Sequence, residues 1–540
     1  MSADIEADVV IVGSGVSGAL MAAKLAEAGV KVAILEAGAE VDRADAVDRY
    51  MNALIKVPES AYEPTPEAPF PMSHLPDGWY RQTGPDKFGS TYLKVAGGTT
   101  WHWLGTCLRL LPADFELKSR YGHGVDWPIS YKELEPFYTA ADQELAVSGL
   151  SSDDLGAPRS GDFPMGPISP SYLDRTLGKA LDGSGMTVRS TPQARNSVDH
   201  EDRPACCGNS SCIPCCPIQA KYDATVHLER AKAAGATLYT RSTAVRLTTD
   251  HHGRIKEVHF TRWDKSSGVA RGKVVIVACH GIETPRLLLN SASERHPKGI
   301  ANNSDQVGRN LMDHPCKLSW ALAKEPLYPF RGPLSTSGIH DFCDGPSRKD
   351  HGAYRIEIGN DGWAWPTGAP QSMAADLLAK GLRGKALDAA MRDQAMRQIR
   401  LTSLTEQLPD PANRMTLHAT DKDMYGVPLP QIAYRVGDYV HDAFAAAEKS
   451  HDAILDHLGV TERHHSPDHF GAGHIMGTVR MGADAKTSVV DKDLRSHDHP
   501  NLFLLGSGTF PTGGTSNPTL TIAALTLRAV DAVKATLKAG

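Results

Sequence analysis

The run Asp8-Val-Val-Ile-Val12-Gly13-Ser-Gly15-Val-Ser-Gly18 decides the fold. Val9 to Val12 describe a short buried strand, and the glycines follow it without a gap. Ala19 to Ala28 then carries apolar residues at helical spacing until Gly29 stops it, and Val30 to Leu35 reads as a second strand ending in Glu36. In G-x-G-x-x-G the first glycine permits the tight turn. The second lets a pyrophosphate approach the backbone, and the third lets the helix pack on the strand. Free N–H groups at the helix start then face the phosphates. Glu36 closes the second strand, where a carboxylate can accept ribose hydroxyls. An acid there favours NAD or FAD over NADP and leaves those two open.

Further along, residues 56–90 are rich in Pro and polar residues and read as an excursion. A second glycine turn, Ala96-Gly97-Gly98-Thr-Thr-Trp101-His102-Trp103, follows. Lys273 to Cys279 is a third buried-strand pattern, residues 374–402 are mostly helix formers, and Met415 to Val436 alternates as strands with turns. Asn501 to Leu505 is a last strand before a helix that starts at about Thr519. Strand–glycine–helix units at both ends predict an α/β protein: a Rossmann-like domain built from discontinuous segments, plus an α+β substrate domain with an antiparallel sheet. The expected division gives 1–45, 90–110, 222–318 and 470–540 to the nucleotide domain. It gives 46–89, 111–189 and 319–469 to the substrate domain and excursions, with a separate cysteine loop at 190–221.

The 540 residues allow more than one domain's core, and 22% charged with 41% hydrophobic residues excludes wholesale disorder. A net charge of −6 argues against a nucleic-acid partner. No run of about 18 uncharged apolar residues predicts a membrane span, and the short, acidic Met1 to Ala7 is not expected to act as a cleavable signal. Cys206, Cys207, Cys212, Cys215 and Cys216 cluster in one short Gly/Pro-containing stretch. Thiols so close favour a metal site over a disulfide framework, with disulfides in the loop as the alternative. Paired zinc knuckles do not match the spacing. Cys206, Cys212 and Cys216, with Pro217 directly after, can wrap a small iron–sulfur cluster.

His474-Ile-Met-Gly477-Thr478 and the later Asn517-Pro-Thr519-Leu-Thr521 resemble the C-terminal signature of the glucose–methanol–choline (GMC) oxidoreductases. So do GRNLMDHP (308–315), WPISYKELEPFY (127–138) and the opening βαβ unit, so the resemblance spans nearly the whole chain. AGGTTWHW and CCGNSSCIPCCP are similar to the catalytic subunits of bacterial FAD-dependent sugar dehydrogenases of the glucose, fructose, gluconate and sorbitol type. The resemblance implies FAD as cofactor. It also implies oxidation of a sugar CH–OH group, His474 taking the hydroxyl proton and flavin N5 the hydride. Asn517 then holds the position of the histidine's partner, where it can hydrogen-bond the substrate oxygen but cannot titrate. Gly97, Gly98 and Thr519 join Gly13, Gly15, Gly18, Glu36 and Asn517 at the cofactor. His102 has the spacing of a flavin-bearing histidine in some relatives, so a histidyl–flavin bond and a plain pocket histidine both stay open.

The resemblance further implies a three-iron cluster on Cys206, Cys212 and Cys216, with Cys207 spare. Cys215 departs from the pattern, either as a packing thiol or as an extra ligand. Gly473 also departs, because relatives often carry Asn there. Implied partners are a small-molecule sugar, a small subunit bearing the export signal and a haem c subunit that accepts electrons. That places the protein at the periplasmic face of the inner membrane, or in the cytoplasm without such a partner. The rival readings are a sugar oxidase using oxygen and a non-catalytic protein that kept the flavin fold.

Overall fold

A computed structural model describes residues 4–54, 57–72, 75–208, 211–360 and 370–539. The opening strand runs Ile5–Val12, longer than the apolar run, because Ile5 to Ala7 already pair with Ala270 to Gly272. The first helix, Val16–Ala26, starts directly on the glycine turn. Ile5–Val12 lies between Val32–Leu35 and Ser267–Val277, parallel to both. Thr237–Tyr239 extends one side of this sheet, and the antiparallel Ile255–Arg262 and Ser242–Thr249 extend the other. Leu502–Leu504 also pairs with Ser267–Val277, which brings the C-terminal segment into the N-terminal sheet. Every residue of Val32–Leu35 and of Leu502–Leu504 is buried, as expected of strands covered on both faces. Helices Thr225–Ala233 and Thr519–Ala539 pack against Val16–Ala26.

A second sheet runs Val460–His465, Pro315–Ala323, Gln398–Thr405, Tyr354–Gly359, Ser337–Ile339, Val188–Ser190, with the short Phe470–Gly471 also on Pro315–Ala323. All its pairings are antiparallel. The period of two splits its faces. Ile356, Ile358, Ile399, Leu401 and Ala321 pack in the core that includes Ala447 and Ile454 of helix Asp438–Leu458. Cys316, Leu318, Glu357, Arg400, Thr402 and Leu404 point the other way, into a cavity. A three-stranded sheet of Arg414–Lys422, Pro428–Ala433 and Arg81–Gln82 completes the architecture, so the 56–90 excursion contributes one short strand.

Two expected boundaries are corrected. Pro315–Ala323 begins inside 222–318, and Phe470–Gly471 inside 470–540, yet both belong to the antiparallel sheet because their hydrogen-bond partners lie there. Helix Tyr131–Glu144, expected with the substrate domain, packs on Thr519–Ala539. Leu134, Tyr138 and Ala141 form its apolar stripe and join the nucleotide-domain core, and Tyr138 Oη lies 2.8 Å from Thr521 Oγ1. The 374–402 stretch divides into helices Pro370–Ala379 and Gly384–Arg397 followed at once by strand Gln398–Thr405. Among the described residues no helix is long and apolar enough to cross a membrane.

Candidate active site

A cavity of about 640 Å³ is lined from both large sheets. At one end stands the first glycine turn, where each glycine has its own reason. Gly13 has φ +97°, and a Cβ there would meet the Ala278 carbonyl oxygen at 2.5 Å. At Gly18 a Cβ would fall 2.0 Å from the Gly13 carbonyl oxygen, so helix and turn touch through backbone alone. A Cβ at Gly15 would meet nothing within 4 Å among the described residues, which leaves room on the cavity wall for a phosphate to reach the backbone. Buried Glu36 accepts from Ser14 N at 3.1 Å, Ser14 Oγ at 2.6 Å and Gly38 N at 2.9 Å. Burial raises its pKa, against those hydrogen bonds. Gly97 N donates to Ser14 Oγ at 3.2 Å, which fastens the second glycine turn to the first.

His102 follows that second turn and lines the same cavity. Its Nδ1 is buried and has no hydrogen-bond partner among the described residues, and burial, with Lys221 nearby, lowers its pKa to about 3. Lys221 Nζ donates to the carbonyl oxygens of Trp101 at 2.8 Å and Trp103 at 2.6 Å, so one buried ammonium fixes the backbone on both sides of His102.

His474, Asn517 and Thr519 line the cavity too. A line of hydrogen bonds runs through His474 and Asn517, and both of its ends have only one possible sense. Arg355 Nη2, which can only donate, lies 2.8 Å from Asn517 Oδ1. The amide of Asn517 therefore turns Nδ2 toward His474 Nε2, 3.2 Å away. At the far end His314 Nε2 lies 2.9 Å from the Gly514 carbonyl oxygen and 3.3 Å from that of Gly513, so it carries the proton. Neutral His314 then offers a bare Nδ1 to His474 Nδ1, 2.8 Å away. That leaves His474 with N–H at Nδ1 and a lone pair at Nε2, on the side of Asn517. Asp313 staples the two histidines: its Oδ1 accepts from the backbone N–H of His314 at 2.7 Å and of His474 at 2.9 Å. Ser90 Oγ bonds its other oxygen and accepts from Gly473 N at 3.0 Å. Burial, then His314 and Arg355, hold His474 well below the ordinary histidine range, so it rests neutral.

The cysteine segment reaches the cavity wall through Ile213. Its residues Asn209 and Ser210 lie outside the described ones. All nine cysteines are free thiols, so no disulfide closes the loop. Cys212, Cys215 and Cys216 are buried and Cys207 is exposed. Burial raises the Cys206 thiol, and Cys212 and Cys216 are near enough to add to the effect. Arg43 Nη1 donates to the Cys216 carbonyl at 2.9 Å and approaches Cys215 Sγ at 3.8 Å, while Nη2 pairs with Asp223 at 2.8 Å. Cys215 belongs to the buried cluster that also holds Trp101, Tyr62 and Ile282. Among the described residues no three His, Cys, Asp or Glu side chains are gathered around one point as a single metal ion requires.

Two family models described as GMC oxidoreductase match residues 167–316 and 409–526, and one described as NAD(P)-binding Rossmann-like domain matches 11–41. The fructose dehydrogenase large subunit of Gluconobacter japonicus is 39% identical over 99% of this chain and 99% of its own length. The chain belongs to the GMC oxidoreductase family. A second GMC relative, the 2-methyl-1,2-propanediol dehydrogenase of Mycolicibacterium austroafricanum, is 29% identical over 98% of this chain and 95% of its own. The crystal structure of formate oxidase superposes with a TM-score of 0.67 over 99% of both chains at 16% identity, a likeness of fold.

Membership makes the protein an FAD-dependent oxidoreductase of CH–OH groups, and the cavity fits that cofactor. The open Gly15, the unpartnered His102 Nδ1 and the fixed Glu36 line one continuous space. Three polar residues of this GMC site escaped the sequence reading. His314 sits in the quoted GRNLMDHP, which was the available signal, but nothing in the sequence places it against His474. Arg355 and Glu357, paired at 2.7 Å, lie on a strand whose alternation marks a face without saying what that face meets.

Proposed function

We propose that the protein is a dehydrogenase that oxidises a CH–OH group of a sugar or sugar derivative, an aldose, ketose, polyol, aldonate or glycoside. His474 takes the hydroxyl proton at Nε2, and Asn517 holds the substrate oxygen through Nδ2. FAD bound in the cavity supplies the hydride acceptor. The one-sense hydrogen-bond line carries this reading, because it leaves the lone pair of a neutral, buried imidazole at Nε2 beside the amide that can grip an oxygen. Glu357, Arg400 and Thr402 on the cavity wall suit a polyhydroxylated substrate. Gly473 suits a wide one: it lines the cavity, and a Cβ there would meet nothing within 4 Å among the described residues.

The same proposal includes a thiolate-held iron–sulfur cluster, of three irons, on Cys206, Cys212 and Cys216. Two cations support it, Arg43 beside the loop and Lys221 within reach of the Cys212, Cys215 and Cys216 charges, since they offset the negative charge of thiolates. The ligands of a multi-iron cluster also stand farther apart than those of one ion. Such a cluster would supply one-electron transfer to a haem protein. The likeness to a protein named as a large subunit supports partner subunits. In this reading one of them bears an export signal and another a haem c acceptor, and the complex lies at the periplasmic face of the inner membrane. His102 completes the proposal as the covalent anchor of the flavin, which its unpartnered Nδ1 supports. Complete release of yellow flavin on acid precipitation would remove that anchor.

The deciding experiment is a panel of aldoses, ketoses, polyols, aldonates and glycosides, beginning with D-fructose, with a dye acceptor and an oxygen electrode. Bleaching of the flavin with dye reduction and little oxygen uptake is the expected result. Stoichiometric oxygen uptake would make the protein an oxidase instead, and no bleaching by any member would end the sugar reading.

A further inference from the structure

The hydrogen-bond line shows where a substrate proton arrives, and the surroundings of the two imidazoles differ in how they would keep it. A proton on His474 Nε2 makes a buried cation whose neighbours are the Asn517 amide, a second imidazole and, beyond the amide, the Arg355 guanidinium. Among the described residues no carboxylate oxygen bonds its ring. Asp313 Oδ1 accepts from the backbone N–H of both histidines, but His314, one ring further in, also has the Gly513 and Gly514 carbonyl oxygens at its ring Nε2 and is the ring that the Asp313 charge favours as a cation. Burial lowers both histidines and Arg355 adds to it at both, but at His314 Asp313 and the two carbonyls oppose it, whereas at His474 the neighbouring His314 adds to it. The Cys316 thiol adds only a neutral donor, to the His314 carbonyl at 3.3 Å.

We propose that His314 is where the substrate's proton comes to rest, as a positioning residue that acts through His474. The substrate O–H bond breaks as its proton bonds His474 Nε2, and in the same step the His474 Nδ1 proton passes across 2.8 Å to His314 Nδ1. His474 ends neutral with its proton on Nε2, and His314 ends as the cation, held by Asp313 and the two carbonyls. The two electrons leave with the carbinol hydride to the FAD of the proposed function, so the substrate loses one proton and one hydride overall. This inference rests on His474 being the base.

The test uses full-length, FAD-loaded protein and follows flavin bleaching by D-fructose, or by the panel member that bleaches fastest. In His314→Asn the amide oxygen can take the place of Nδ1 and still accept from His474 Nδ1–H, which keeps the resting tautomer, but it cannot hold the proton. His314→Phe does neither. Both variants are expected to slow bleaching by about 10²-fold, within the usual range for proton-transfer catalysis, with KM nearly unchanged. A His314→Asn rate within about threefold of wild type would overturn the relay and leave His314 an orienting role. Should neither variant keep FAD, wild type decides: bleaching rates in mixed light and heavy water bow when two protons move together, and a straight line overturns the proposal. Failure of the base reading is distinguishable, because His474→Ala would then bleach at the normal rate.

Discussion

His474 of the histidine pair and Ile213 of the cysteine loop line one cavity, and the two regions are held on opposite terms. Around His474 every contact has a direction: a guanidinium that only donates at one end, carbonyls that only accept at the other, and two imidazoles and an amide whose states follow. Around Cys206 to Cys216 the fixed contacts go to the backbone of the loop. Arg43 bonds the Cys216 carbonyl and Tyr62 Oη the Pro214 carbonyl, while the thiols feel Arg43 and Lys221 mainly as charge. A proton moves less than an ångström along one bond and needs direction. An electron passing through the proposed cluster would need a favourable potential and proximity, to which nearby charge and backbone clamps would contribute.

The largest break in this comparison is His474→Ala. It should fold and bind FAD, keep whatever iron the loop holds, and lose flavin reduction by about 10²–10⁴-fold. Near-normal bleaching by the panel sugar would move the base elsewhere. Cys212→Ser and Cys216→Ser are the complementary break. Each should remove the iron and bring cytochrome reduction to background while the sugar still bleaches the flavin. Wild-type protein prepared without air that contains no iron, or serine variants that reduce the cytochrome normally, would end the proposed role of the loop.

A smaller effect sharpens the histidine side. Arg355→Met removes the donor that fixes the Asn517 amide, so Asn517 can flip. A charge-assisted hydrogen bond contributes about 1.5–3 kcal/mol, which sets the expected loss at roughly 10- to 100-fold in turnover. Lys in place of Met should restore part of it, and an unchanged rate would show that Asn517 needs no anchor.

The smallest effect is one of pH on stability. Burial holds His340 and His451 neutral, each at about 3, and His451 sits between Ser319 Oγ at 2.7 Å and Ser403 Oγ at 2.8 Å. The unfolded chain protonates both below about 6.5. Their folded pKa is depressed, so below that value the unfolded state binds more protons. Stability is therefore full above about pH 6.5 and falls as the solution is made more acid, toward pH 3. The loss is up to about 1.4 kcal/mol per pH unit for each histidine. A urea midpoint that is flat from pH 7 to pH 5 would contradict this, and His451→Gln should lessen the slope.

The sequence by itself determined whatever neighbouring residues could state. The strand into Gly13, the steric need for Gly18, the acid at Glu36 and the strand at Leu502–Leu504 all obey rules that act over a few residues or along one strand. His474 and Asn517 were legible as a pair through the motif that frames each, and the structure sets them 3.2 Å apart. Only the tertiary structure decided the rest. WPISYKELEPFY carries a family resemblance but does not tell that the apolar stripe of the helix it starts belongs on Thr519–Ala539. The alternation in Tyr354–Gly359 separates Ile356 from Arg355 without telling which face meets the cavity. The tautomer of His474 depends on a ring 160 residues away and on two carbonyls near the C-terminal helix. Periodicity and sterics are properties of a segment, whereas the sense of a hydrogen bond belongs to both partners, and their meeting is settled only when the sheets pack.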